Sequence, residues 1–458
     1  MRLRAKVTAL VVTTVLAAAG LGACSGDDEP AGAVRVASTL GPGEGAINLV
    51  SLSGYVENGG SDPRVDWVTP FEKRTGCKVG WKAARSPEEM ADLMSDPNRR
   101  YDGVSAPPEV SGRLIADRQV VAVNPNLVDG YKKLEPRLRG LLKRDGRFYG
   151  VPFTWGSNLL AYDTRTVQPA PSSWAALFEP EQARRYSGRL IMRDSPLAIA
   201  EAALYLKDKE RKLHIGDPYS LTAKQLDAAG KVLAKQRPHV KEYWQLPADA
   251  ISAFAGGGTG LGGATGRSGD APPPASSPLP APPSSGTATP TPTGTDAPKV
   301  RPTGPGGEQS AALGVVWPYQ ADVLNRAGRP VQTAVPSEGV TGWMNAWMIG
   351  ARVQHPNCMY QWLQWTASPD VQQQVAEWTG VAPANPQACS GDRLKREFCD
   401  AYRVGDRGYL DEVIFAHTPA KACGTGKKGK PGKGDCTDYA EWTKKWIEAT
   451  NPARRGPG

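Results

Sequence analysis

The sequence is poor in the residues that most catalytic chemistry needs. Histidine is scarce: His214, His239, His355 and His417 are scattered through 458 residues. No C-x-x-C pair accompanies them, so the chain does not read as a zinc protein. G-x-S-x-G, H-E-x-x-H, a P-loop and a dinucleotide fingerprint are all absent. Carboxylates are plentiful, but two of them are no glycosidase pair without geometry. The chain is therefore read as a non-enzyme, and no cofactor or metal is implied. Lys and Arg are not interleaved with aromatics along one face, which argues against a nucleic-acid stripe. The formal net charge of +9 is held partly by Arg2, Arg4, Lys6, Lys427, Lys428, Lys430 and Lys433. An anionic membrane surface or cell wall is the more economical partner.

What is present points to an exported protein. Arg2, Arg4 and Lys6 precede the apolar stretch Val7–Gly20, which is too short for a comfortable membrane span and suits a signal segment. It ends in Leu21-Gly22-Ala23-Cys24, which resembles a bacterial lipobox, so Cys24 is expected to be acylated. Residues 25–45, rich in Gly, Ser, Asp and Pro, read as a flexible tether. Six cysteines remain, an even set that suggests disulfides outside the cytoplasm. Many connectivities are open. Nearest-neighbour pairing is the simplest: Cys389–Cys399 and Cys423–Cys436, leaving Cys77–Cys358.

Strand and helix patterns then alternate. Ile47–Leu52 and Cys77–Trp81 read as strands, with Gly76 closing the helix before the second. Ser86-Pro87-Glu88-Glu89 reads as a helix start with a capping box, and Tyr101–Ser105 as the next strand. This spacing argues for parallel α/β units. Gly188–Met192 runs as a strand into Arg193-Asp194-Ser195-Pro196, followed by a helix over 197–207. Thr222 and Gln225 open another helix, Ser368 is expected to cap a third, and Tyr439–Ala449 is a final amphipathic one. Between residues 256 and 311 Gly, Pro, Ser and Thr dominate and large apolar residues nearly vanish, so no core can form there. The fold can tolerate such an excursion because loop closure grows only logarithmically with length.

Tyr149–Asp163, YGVPFTWGSNLLAYD, interleaves aromatics with Gly150, Pro152 and Gly156 before a short apolar run. With Ile47–Gly59, Tyr101–Ser105, Gly188–Leu206, Glu338–Ala351 and Ala382–Cys399, it resembles the extracellular solute-binding proteins of ABC importers, in the spermidine/putrescine-binding branch. The resemblance implies a two-lobe periplasmic-binding-protein-like (type II) α/β fold with hinge strands crossing between lobes. Lobe 1 would comprise residues 46–152 and 343–385, and lobe 2 residues 153–255, 312–342 and 386–450, with residues 256–311 as a disordered insert.

The same resemblance implies a small-molecule ligand in the interlobe cleft, a polyamine such as putrescine or spermidine, with an ABC permease as partner. The protein would be a monomer, lipid-anchored at the outer face of the membrane. Tyr55, Asp194, Trp317 and Trp343 fall where the family places ligand contacts; Trp155 lies on the hinge strand, and Glu109 stands where many relatives have Asp. A polyamine needs carboxylates for its ends and aromatic faces for its stem. Two positions depart: Leu52 replaces a stacking Trp, and Asn345 replaces an Asp that pairs with an amine, leaving an acceptor without net charge. The rival readings are the same fold with another ligand, and a cell-wall scaffold or sensor lipoprotein without transport. A secreted hydrolase stands third.

Overall fold

The computed structural model describes residues 38–256, 310–390, 394–423 and 435–451. Cys24, the signal segment, the interior of the 256–311 stretch and the Lys-rich stretch between Cys423 and Cys436 lie outside the described residues.

Ala46–Leu52 pairs in parallel with Lys78–Ala84 on one side and Gly103–Ala106 on the other, as the alternation of strands and helices predicts. Gly103–Ala106 then meets Val340–Gly350 in antiparallel register. Val340–Gly350 in turn lies antiparallel to Val151–Asp163. These two strands are buried along their whole length, and their sequences are correspondingly rich in apolar and aromatic residues. The last residues of Val151–Asp163 pair instead with Leu313–Val316 and with Val331–Ala334. Leu313–Val316 continues in parallel to Leu190–Arg193, and that strand to Val240–Trp244. One long strand thus belongs to both lobes, and a second runs beside it where the lobes meet. The expected two-lobe α/β fold with crossing strands is borne out.

Local signals act as expected at most helix ends. Gly76 adopts a positive φ of 74° and closes Val68–Thr75 through its N–H to Glu72. Ser86 accepts from the Glu89 N–H at 3.2 Å, although the Glu89 carboxylate reaches back to the Arg85 N–H rather than to Ser86. Thr222 and Gln225 form the full reciprocal box. Ser368 makes no side-chain cap: its hydroxyl is turned back and donates to the Trp365 carbonyl at 2.7 Å.

The core divides with the lobes. One cluster gathers Ile47, Leu49, Phe71, Val104, Trp347 and Trp362, and another Leu190, Ile199, Leu204, Leu226, Trp442 and Trp446. Residues expected in lobe 2 from 386 onward divide differently. Phe398, Tyr402, Tyr409 and Phe415 pack into the first cluster, while Trp442 and Trp446 pack into the second. The reason is the underside of the crossing strands, which needs apolar cover and receives it from this segment. The disulfides are Cys77–Cys358, Cys389–Cys399 and Cys423–Cys436. The N–H of Ala311 donates to the Ala253 carbonyl at 2.8 Å, so the chain leaves and re-enters lobe 2 at neighbouring points.

Candidate functional site

Strand periodicity decides which side chains can meet. In the crossing pair Thr341 stands opposite Asn158, Trp343 opposite Gly156, and Asn345 opposite Thr154. Alternate residues share a face, so these three cross-strand pairs form one continuous surface. Gly156 permits it: a Cβ there would stand 2.6 Å from Cζ2 of Trp343, so only glycine lets the indole lie against the strand.

At the lobe 1 end of this surface, Asn345 Nδ2 donates to the Tyr55 hydroxyl at 2.8 Å and to Thr154 Oγ1 at 3.4 Å. Burial pushes the Tyr55 phenol above its ordinary value. Glu109, from helix Pro108–Ala116, reaches across to lobe 2. Its Oε1 accepts from Arg193 Nη2 and from the Ser195 hydroxyl, both at 3.4 Å. These are long bonds and hold the lobes together only loosely.

At the lobe 2 end stands Glu201, in helix Ile199–Lys209 and 1% exposed. Its Oε1 accepts from the Thr341 hydroxyl at 2.6 Å and from Asn158 Nδ2 at 3.2 Å. Its Oε2 is buried with no partner. Burial raises the Glu201 carboxyl above its ordinary value, against the pull of Thr341, Arg193 and Asn158. The buried Tyr219 phenol beside it is pushed well above its usual value, by burial first and then by the Glu201 charge. Asn158 Oδ1 accepts from the Trp317 indole at 3.1 Å. The Trp317 ring lies 4.9 Å from Trp343 and 5.2 Å from Trp244, and the Arg193 guanidinium sits 5.4 Å from its centroid. The Trp343 indole N–H is buried without a partner.

Of the residues predicted from sequence, Tyr55, Glu109, Trp317, Trp343 and Asn345 are brought together. Two are not. Trp155 has the wrong parity: it points to the opposite face, gives its N–H to the Pro383 carbonyl at 3.0 Å and packs edge-on to Tyr402 and Phe415. Asp194 is exposed and turned away, its two oxygens accepting from Gln245 Nε2 and Trp446 Nε1, each at 2.8 Å. The loop after Leu190–Arg193 turns so that Arg193, not Asp194, meets lobe 1. Sequence reasoning missed Arg193, Glu201, Asn158 and Thr341. Two signals were there: Glu201 is the one acid within the apolar run Leu197–Leu206, and Arg193 ends a buried strand, where ligands of open α/β sheets gather. A surface hollow of about 530 Å³ around the Cys389–Cys399 disulfide is lined by no residue of the crossing strands. Two of the buried polar atoms without a partner, Glu201 Oε2 and Trp343 Nε1, lie at the interlobe surface, beside the aromatic and charged groups the crossing strands bring together.

Two α/β lobes meet over crossing strands, with unpaired polar groups buried between them. Residues 66–276 match the family model described as bacterial extracellular solute-binding protein. A putrescine/agmatine-binding protein of Pseudomonas aeruginosa is 25% identical over 193 residues, 39% of this chain and 50% of that protein. The match thus spans about half the length of that relative. A spermidine/putrescine ABC transporter substrate-binding protein from Streptococcus pneumoniae shares the fold with a TM-score of 0.57 at 15% identity, over 89% of this chain and 99% of its own. A GABA receptor does so with a TM-score of 0.56 at 14% identity, over 90% and 99%. Among the described residues no helix is long and apolar enough to cross a membrane.

Proposed function

We propose that the protein is the solute-binding component of an ABC importer, held at the outer face of the membrane through Cys24, and that it captures an amine-bearing organic solute between its lobes as a monomer. The family and the two-lobe fold support the first part, and the lipobox-like Leu21–Cys24 the second. The observation that carries the ligand class is Glu201. A carboxylate oxygen buried without a donor is costly, and a primary ammonium supplies both the missing hydrogen bond and the opposite charge. Polyamines are the class named for the Pseudomonas and Streptococcus relatives and are the first amines to test. Glu201 replaces Asp194 as the principal charge partner in this reading.

The test is calorimetry with putrescine, spermidine, cadaverine, 4-aminobutyrate and 5-aminopentanoate. Glu201→Gln keeps the bonds from Thr341 and Asn158 but removes the charge. It should weaken every amine that binds the parent by about a hundredfold or more, with the melting temperature retained. Equal affinity in parent and variant would sink the reading.

A further inference from the structure

Arg193 already makes, within the chain, the contacts that an organic cation would make. Glu109 comes from lobe 1 and is 5% exposed, and Arg193 ends the strand Leu190–Arg193 of lobe 2. The guanidinium pairs with Glu109 Oε1 through Nη2 at 3.4 Å, and it sits over the Trp317 ring at 5.4 Å from the centroid. An acid on one side and an aromatic face on the other are what a bound ammonium or guanidinium group requires. The same charge reaches both ends of the interlobe surface. Burial raises the Tyr55 phenol at one end and the Glu201 carboxyl at the other, and the Arg193 charge pulls both back. Glu201 Oε2 nevertheless has no donor. The guanidinium thus serves one of the two buried acids and leaves the other open.

A group fixed to the backbone competes with a free solute at an effective concentration of about millimolar. It also links the two lobes, as a bound solute would. We infer that Arg193 is a built-in occupant of the cation position between Glu109 and Trp317, which a solute must displace before it can use that acid. The surface then has two amine positions, Glu201 open and Glu109 taken, and Arg193 sets how tightly a second ammonium is held. The inference rests on Glu201 as the amine anchor and adds what stands at the solute's other end. With Arg193 removed, Glu109 keeps the Ser195 hydroxyl at 3.4 Å but loses its cation, and a solute ammonium can replace it.

Calorimetry of putrescine, n-butylamine and ethylguanidine tests it, on the parent, Arg193→Gln, Arg193→Ala and the double variant Glu109→Gln/Arg193→Gln. The parent, whose second position is taken, should hold putrescine within about threefold of n-butylamine. Arg193→Gln should bind putrescine at least about tenfold more tightly than the parent does. n-Butylamine, whose single ammonium is spent on Glu201, should gain several-fold less, and the double variant should lose the gain. Ethylguanidine should bind Arg193→Ala and raise its melting temperature, and should do neither to the parent. A parent that holds putrescine a hundredfold more tightly than n-butylamine would overturn the inference, and that measurement needs no variant to fold. So would putrescine affinity unchanged in Arg193→Gln, or a gain that persists in the double variant. The two readings fail separately. If amines bind the parent, Glu201→Gln abolishes them, and Arg193→Gln gains nothing, the amine anchor stands and the built-in occupant falls. If no amine binds the parent or Arg193→Gln, both fall.

Discussion

The two faces of the crossing strands are built from the same backbone and yet are finished differently. On one face Trp155 donates to Pro383, Ser157 accepts from the Tyr409 hydroxyl at 2.8 Å, and Tyr402 and Phe415 cover the rest. On the other, Thr154, Asn158, Thr341 and Asn345 are bonded among themselves and to their neighbours, while Trp343 and the adjoining Glu201 keep unmatched atoms. Both faces are buried, so depth does not distinguish them. Their bonding does: Trp155 Nε1 and Ser157 Oγ have partners on the one face, whereas the Trp343 N–H and the adjoining Glu201 Oε2 have none on the other.

Substitutions can break this contrast from either side. The largest effect should come from the completed face. Trp155→Ala removes a 1%-exposed indole and leaves the Pro383 carbonyl without its donor, so unfolding free energy should fall by about 3–5 kcal/mol in urea titration. Ligand affinity, measured where the variant is still folded, should change little; a selective loss of binding at full stability would reverse the assignment of faces.

The incomplete face should show itself through pH. Burial raises the Glu201 carboxyl above 4.5, so between that value and its own raised one the folded protein holds a proton that the unfolded chain has released. The stability this contributes is fully present below 4.5, falls as pH climbs through the folded value, and is flat above it. Amine affinity should rise over the same interval, because the ionised carboxylate is the binding form. Glu201→Gln should flatten both curves, and pH profiles that stay parallel in parent and variant would refute the role of this group.

Asp194 supplies the smallest effect and the sharpest control. Asp194→Asn leaves one oxygen for Gln245 or Trp446 and loses the other bond. A stability loss of about 0.5–1.5 kcal/mol is expected, with amine affinity within twofold of the parent. A large loss of binding in this variant, seen by calorimetry, would restore Asp194 to the site and remove the reason for preferring Glu201.

Much of the architecture was legible because it depends on local chemistry. Gly76 marks a helix end because a residue without a Cβ adopts a positive φ readily, Thr222 does so through its own side-chain bond, and the aromatic and apolar residues of Val151–Asp163 announce a strand buried along its length. Nearest-neighbour pairing, the simplest of the connectivities left open, matches the two short-loop disulfides. The site was harder because it depends on phase. Trp155 and Gly156 are adjacent, and nothing in the sequence says which parity looks between the lobes. Asp194 and Glu201 are seven residues apart, and which is buried depends on how the loop between strand and helix turns. The cover that Phe398, Tyr402 and Phe415 give to lobe 1 is a long-range contact, invisible to any local pattern.

The contact of Trp343 with Gly156 carries an evolutionary consequence. A methyl at position 156 would lie within 2.8 Å of two ring carbons of Trp343, so Gly156→Ala is harmful while the tryptophan is present and acceptable once a small residue stands at 343. The two positions are epistatic in one direction: residue 156 cannot drift while Trp343 stands, and a lineage that shrinks residue 343 opens a path for residue 156 that, once taken, bars the return of the tryptophan.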